Sequence, residues 1–177
     1  MVKKISLGIL YFVVMTVAFL FFLPKPNLYY ALEKELSTYG VIVQNETVVS
    51  KPFGLALHHP TIVYRGVESL KAMEIVVGLE FFGANLEVEQ ARLSSFVKSF
   101  LPTRIEYAHV QYRVWNPVEV TIKAKGAFGK VSGTYNLIEK KVSLVLYASK
   151  EMEKNYKSSL RQFKKIAKGE YLYETKL

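Results

Sequence analysis

Histidine is the side chain best suited by type to do chemistry in this sequence, because the chain contains no cysteine and no aspartate. His58 and His59 are adjacent, so on a strand they point to opposite faces and cannot chelate one metal together. His109 lies in an extended stretch between Tyr107 and Tyr112. We therefore interpret all three histidines as ordinary polar residues rather than as ligands or catalytic bases.

The other familiar chemical motifs lack their essential residues. Without Asp or Cys, the common catalytic triads, zinc sites, calcium loops and Mg²⁺-nucleotide sites lose their usual ligands. Gly126, Gly129 and Gly133 are spaced unlike a P-loop or a dinucleotide fingerprint, and in a β context they indicate turns or bulges. Lys130 stands where a nucleophile elbow at Ser132 would need glycine. The sequence predicts no catalytic site, no metal site and no cofactor, and hence no enzyme.

An uncharged run over residues 5–23 predicts a transmembrane helix. A helix of this length spans about 28 Å, close to the ~30 Å hydrocarbon core of a bilayer. A cleavable signal peptide is the alternative, but its apolar core is usually about 7–15 residues long and ends in small residues, whereas this run ends in Phe, Phe and Leu. The anchor residues that we select from the run are Ile5, Leu10, Phe12, Phe19 and Leu23.

The basic residues around this run set the predicted orientation. Lys3 and Lys4 precede it and favour a cytoplasmic N-terminus, although Lys25 follows it closely. We therefore predict a single-pass protein of a bacterial inner membrane. Residues 1–26 form the cytoplasmic tip and anchor, and residues 27–177 form one periplasmic, mostly β domain. The chain between them contains no Gly/Ser-rich linker and no repeat.

The positive charge suggests which partners to expect. The net charge of +9 falls to +6 without Lys3, Lys4 and Lys25. Near a membrane, a basic surface attracts anionic headgroups, and the anchor argues against nucleic acid as the partner. We select the C-terminal lysines as candidate contacts with anionic lipid or an acidic partner: Lys164, Lys165 and Lys168. Homo-oligomerisation stays open.

The first segment after the anchor reads as a short amphipathic helix over residues 28–39. Its apolar residues recur at helical spacing, with Asn27 as the predicted N-cap and Gly40 as the C-terminal stop. Tyr29 and Tyr30 suit the headgroup region, so the helix either lies at the membrane interface or packs on the sheet.

From Val41 the apolar period changes to two, which predicts strands. One β stretch is expected over 41–49, a long strand over 73–81, an alternating strand over 118–125, and a hairpin of 131–137 with 142–147. Short connectors favour an antiparallel meander. Several strands look apolar on both faces, so we expect a cover of C-terminal helix, curled sheet, partner or lipid.

Two helical segments interrupt the strands. Residues 94–101 predict one or two helical turns. Residues 150–168 predict an amphipathic helix with Ser149 as N-cap and Gly169 as the C′ residue, because their apolar residues share one helical face. Tyr171 to Tyr173 predict a closing strand. The expected fold is thus α+β: a transmembrane helix, a curled antiparallel sheet and a C-terminal amphipathic helix.

The layout resembles a known family. A basic start, one membrane helix ending in Leu-Pro and an interfacial helix lead into the segments Gly129-Lys-Val-Ser-Gly-Thr-Tyr-Asn-Leu and Val142-Ser-Leu-Val-Leu-Tyr-Ala-Ser, and Gly169-Glu-Tyr-Leu-Tyr-Glu ends the series. This pattern resembles the inner-membrane N component of type II secretion systems and, more loosely, the AsmA-like envelope proteins. The resemblance implies a groove-forming periplasmic sheet and a non-enzymatic role.

Two functions follow as hypotheses. The first is a structural or accessory subunit of an envelope-spanning machine, such as a secretion system or flagellar motor, with other subunits as partners. The second is a lipid-binding module whose sheet shields acyl chains. An enzyme is disfavoured by the missing ligands.

Overall fold

The computed structural model describes residues 2–176, with side chains over 6–176. The fold is α+β, with two N-terminal helices followed by an antiparallel sheet. The helices are α1 Val2–Phe22, α2 Lys25–Thr38, α3 Lys150–Asn155 and α4 Lys157–Leu160, with a 3₁₀ helix at Ser95–Ser99. The strands are β1 Val41–Gln44, β2 Thr47–Lys51, β3 Gly54–His58, β4 Thr61–Tyr64, β5 Val67–Lys71, β6 Glu74–Glu80, β7 Gly83–Leu93, β8 Arg104–Arg113, β9 Asn116–Gly126, β10 Gly129–Asn136, β11 Lys141–Ala148, β12 Lys164–Ala167 and β13 Glu170–Lys176.

The junction of α1 and α2 is held by Lys25. Its side chain is buried, and Nζ donates to the carbonyl oxygen of Phe21 at 2.9 Å, so a cation satisfies the C-terminal end of α1. The predicted start of α2 is wrong: the helix begins at Lys25 after Pro24, not after an Asn27 cap, because Pro26 is tolerated in a first turn. Gly40 follows the helix with φ +79°, as expected of a helix stop.

The segment predicted as the membrane anchor corresponds to α1. Within the described residues, no single helix is long and apolar enough to span a membrane. Only the pair Ser6–Phe22 and Lys25–Thr38, bent by 65°, meets the length and composition criteria together. The anchor residue Ile5 falls outside the described side chains.

The sheet is open and forks at β7. Its main path runs β1-β4-β5-β7-β8-β9-β10-β11-β13-β12. Residues 83–89 of β7 pair with β6, whereas Arg92 and Leu93 pair with β5. Gln90, with φ 46°, lies between these two pairings. One branch therefore continues from β6 to β3 and β2, and the other from β5 to β4 and β1.

Helix α2 packs onto the forked end of the sheet and contacts β1, β2 and β3. Tyr29 is 7% exposed and joins α2 to a cluster of Leu55, Leu57, Ala72, Ile75, Val88 and Ala91. Its hydroxyl donates to Glu46 Oε1 at 3.0 Å. Burial, together with that carboxylate, raises the pKa of Tyr29, which stays a neutral donor. Of the two expected arrangements of this helix, the burial of Tyr29 agrees with packing on the sheet.

The C-terminal helix predicted over 150–168 is shorter than expected. Ser149 Oγ accepts from the Met152 N–H at 3.1 Å, which confirms the N-cap. The helix is interrupted at Tyr156, and Lys164–Ala167 forms a strand paired with β13. Gly169, with φ +78°, makes the turn between these strands rather than a helix end. The edge of β13 would otherwise leave backbone N–H and C=O groups unpaired. Pairing with these groups stabilises Lys164–Ala167 as a strand more than its helical spacing of apolar residues favours a helix.

The other sequence expectations are partly met. The hairpin of β10 with β11, the helical turn at Ser95–Ser99 and the last strand are confirmed. The single stretch over 41–49 is wrong, because Asn45 adopts φ 62° and sends β1 and β2 to different neighbours. Phe81 and Leu137 lie in turns just beyond the strands to which they were assigned.

Candidate functional site

Strand register sorts one face of the sheet into three rows that cross it from β6 to β13. Directly paired residues of antiparallel strands lie on the same face, so each row follows the pairs from strand to strand. The inner row is Ile75, Val88, Ala108, Ala124, Val131, Leu146 and Tyr171. The middle row is Val77, Leu86, Val110, Ile122, Gly133, Leu144 and Tyr173. The outer row is Leu79, Ala84, Tyr112, Val120, Tyr135, Val142 and Thr175.

The inner row forms the core of the domain. At one end, Ile75 and Val88 are buried in the cluster around Tyr29. At the other end, Leu146 and Tyr171 are buried in a second cluster with Phe128, Met152 and Leu160. The two clusters share the half-buried Ile105 as a packing neighbour. The helices and the turns at this side of the sheet therefore cover the inner row.

The middle and outer rows are largely uncovered, and we call them the open apolar face. Leu86 is 36% exposed, and the other members are half-buried by their neighbours in the sheet. Among the described helices, the main contacts of α2 with the sheet are with β1 to β3, and those of α3 with the sheet are with β11. The two rows cross seven strands and cover roughly 400 Å² of sheet at standard strand spacings. Contiguous apolar surfaces that stay accessible to solvent often mark interaction sites.

An apolar cavity adjoins each end of the open apolar face. Beside α2, a cavity of about 130 Å³ is lined by Lys25, Leu28, Tyr29, Leu32, Gly54, Leu55, Val77 and Leu79. At the C-terminal helices, a cavity of about 190 Å³ is lined by Leu101, Phe128, Val131, Leu144, Leu146, Met152 and Phe163. Val77, Leu79 and Leu144 belong to both a cavity and the face, so apolar space continues beneath the helices.

Helix α1 also lies next to this face. Val17 and Leu20 share a cavity of about 430 Å³ with Phe53, Leu79 and Phe81, and Glu80 completes its lining. Leu79 belongs to the outer row, so the apolar face begins where the last turns of α1 lie.

The opposite face of the sheet is polar on β7 to β10. There Glu87, His109, Lys123 and Ser132 follow one another across four strands. His109 Nδ1 lies 3.3 Å from Glu87 Oε1 and 2.9 Å from the hydroxyl oxygen of Tyr107. Partial burial and nearby carboxylates raise the pKa of Tyr107, which keeps its hydroxyl proton. The expectation of apolar residues on both faces is met on β6 and β11, because Val76 and Val145 lie in the same row as Glu87 and Ser132. Strands β7 to β10 instead have one face suited to water.

The histidines are dispersed over this polar surface. His58 Nδ1 is 4.0 Å from Glu74 Oε1, and His59 follows β3 with φ 55°. Within the described residues, no group of three histidine or glutamate side chains is placed to hold a metal ion.

Three of the five predicted anchor residues are exposed along α1. The exposed fractions of Leu10, Phe12 and Phe19 are 56%, 69% and 64%. Leu23 is half-buried beyond the end of the helix, and its carbonyl oxygen accepts from the Lys25 N–H at 2.8 Å.

The three candidate lysines do not form one patch. Lys164 pairs with Leu172 and Lys165 with Tyr171, so the two lysines lie on opposite faces of the edge strand. Lys168 is exposed in the turn that follows. All three belong to a strand and a turn instead of the last turn of a helix.

Sequence reasoning missed the open apolar face. Each strand alternates, but their common face becomes visible only when register aligns Val110, Ile122 and Leu144 across the sheet. Comparisons with protein-family models, curated proteins and solved structures found no match. Function is therefore inferred from the surfaces of the molecule.

Proposed function

We propose that this chain is a non-enzymatic, membrane-anchored module that binds lipid acyl chains on its open apolar face. The observation that carries the proposal is the uninterrupted middle and outer rows, in which every residue is aliphatic, tyrosine, threonine or glycine. Exposing such a surface to water costs a free energy of about 25 cal/mol per Å² of apolar area. An acyl chain covers it without bringing polar groups that need partners.

The position of α1 supports lipid as the occupant. We propose that α1 anchors the chain in a bacterial inner membrane, with the sheet on the periplasmic side. Its large exposed side chains from Leu7 to Phe22 are hydrophobic, and its last turns share a cavity with Leu79 of the outer row. A lipid leaving the bilayer beside α1 would thus reach the face through a cavity whose only charged residue, among the described residues that line it, is Glu80.

The lysines on and beside β12 do not contribute to this site. Lys141 pairs with Lys176 at one end of the β11–β13 ladder, and Tyr147 pairs with Glu170 at the other. Gly169 and Lys168 lie beyond Glu170, roughly 20 Å along the strands from the end near α1. This placement favours an acidic protein partner for the lysines over the headgroups of the anchoring membrane.

A second candidate function is the structural subunit of a secretion system or flagellar motor. It is favoured by the edges of the sheet, since β1, β2 and β12 each pair with one strand in the described sheet. Free edges of this kind accept a strand from another protein. Here the apolar face would be covered by protein instead of lipid.

Native mass spectrometry of the detergent-extracted full chain tests the proposal. We expect phospholipid to remain bound, and Val110→Glu to remove it by placing a carboxylate in the middle row. The matched control is Gln111→Glu, one residue along the same strand on the polar face. Stoichiometric protein partners with no retained lipid would favour the structural subunit.

A further inference from the structure

Four hairpin turns lie at the end of the strands that is next to α1. They connect β2 to β3, β6 to β7, β8 to β9 and β10 to β11. Backbone bonds tie turns to their neighbours: the Phe53 carbonyl accepts from the Leu79 N–H of β6 at 2.7 Å, and the Phe82 carbonyl from the Val114 N–H of the next turn at 2.9 Å. The four turns therefore lie side by side and form a rim at this end of the sheet.

This rim carries large apolar side chains where turns usually carry Gly, Asn, Asp or Ser. We call these residues the apolar rim, and their exposed fractions are Phe53 47%, Phe81 42%, Phe82 55%, Val114 56%, Trp115 63%, Leu137 42% and Ile138 75%. The β9–β10 turn at the opposite edge gives a contrast, because its Phe128 is 9% exposed and lies in a core cluster. Exposed apolar residues also occur in the β7–β8 connection at the opposite end, where Phe96 and Phe100 are 76% and 52% exposed, so the rim is distinguished by its contacts with α1 and between its rings rather than by exposure alone.

The rim side chains are arranged as a connected aromatic group. The ring centroids of Phe81 and Phe82 are 5.0 Å apart, and those of Phe82 and Trp115 are 5.8 Å apart. The Arg113 guanidinium carbon lies 5.2 Å from the Trp115 ring centroid. Aromatic rings beside long basic side chains are typical of the boundary between lipid and water.

We propose that the apolar rim inserts into the surface of the lipid bilayer that holds α1. Val17 and Leu20 of α1 share a cavity with Phe53 and Phe81 of the rim, so both elements meet the same apolar phase. The inference rests on the proposed membrane anchor and goes beyond acyl-chain binding. In this arrangement the strands point away from the membrane surface, and the outer row of the open apolar face lies nearest to the lipid.

Trp115 is the only tryptophan in the chain, which makes it a native probe of this contact. The experiment uses the full chain in vesicles of phosphatidylethanolamine and phosphatidylglycerol, with a quencher carried either by the lipid or by iodide in the water. We expect lipid-borne quenchers near the headgroups to quench Trp115, and iodide quenching to be at least about fivefold weaker than for a solvent-exposed tryptophan.

The matched control moves the tryptophan to the opposite end of the strands. The variant combines Trp115→Phe with Tyr147→Trp, since Tyr147 is 45% exposed and its cross-strand partner is Lys130 of the polar face. Its fluorescence should be quenched by iodide and not by the lipid-borne quencher.

The outcomes separate this inference from the proposed function. Failure of the protein to float with vesicles overturns both the anchor and the rim contact. Flotation with Trp115 quenched by iodide as readily as the control overturns the rim contact alone. Shielding from iodide without quenching by lipid would assign the rim to a protein contact and also overturns the proposal.

Discussion

Replacing one leucine in the open apolar face and one in the core should have clearly different effects on stability. Leu86 of the middle row is 36% exposed, whereas Leu146 of the inner row is 3% exposed in the C-terminal cluster. Leu146→Ala removes buried methyl groups and leaves a cavity, which costs about 2–5 kcal/mol. Leu86→Ala removes a side chain that already faces solvent, so little cavity forms, and we expect a cost of about 1 kcal/mol.

The two variants are matched because both leucines lie on the same face of central strands of one sheet. Urea unfolding of the full chain in mild detergent, followed by circular dichroism, measures the free energy of unfolding of each variant. The slopes should agree with wild type, so that midpoints report stability. If Leu86→Ala costs as much as Leu146→Ala, the face is covered in the folded protein and the reasoning from exposure fails.

Three further substitutions test the supports of this architecture. Tyr29→Phe should cost about 0.5–1.5 kcal/mol at neutral pH by removing the donor to Glu46. Because the pKa of Tyr29 is raised, its contribution is complete below about pH 10 and is lost as pH rises through the folded-state value; urea unfolding across this range should show a smaller alkaline loss in Tyr29→Phe. Lys25→Met should cost about 1–2 kcal/mol by leaving the end of α1 without its donor, and equal proteolysis of variant and wild type at the α1–α2 junction would contradict this role. Gly169→Ala should cost about 1 kcal/mol from its positive φ alone, since the nearest atom to a new Cβ is 4.0 Å away; an unchanged thermal midpoint would refute the assigned turn.

The sequence predicts local structure where several signals coincide. The hairpin of β10 with β11 has alternating strands and a polar turn, and Ser149 precedes two glutamates in the first turn of its helix. The segment Lys164–Ala167 has helical spacing but becomes a strand, because the edge of β13 offers backbone partners that a local pattern does not reveal.

Longer-range features needed the structure. The fork at β7 depends on the pairing of Leu93 with Leu70, and nothing in either segment specifies that partner. Phe81 and Phe82 look like residues of a strand buried on both faces, but they form a turn and contribute to the apolar rim. The sequence shows the types of these residues, whereas their common exposure at one end of the strands depends on register across the whole sheet.

Photo-crosslinking in native membranes tests acyl-chain binding most directly. A photoreactive amino acid at position 122 replaces Ile122 in the middle row, and the same amino acid at position 121 replaces Thr121, its neighbour on the polar face. The account predicts phospholipid adducts from position 122 and none from position 121. Adducts to a protein from position 122, or equal lipid labelling at both positions, would contradict it.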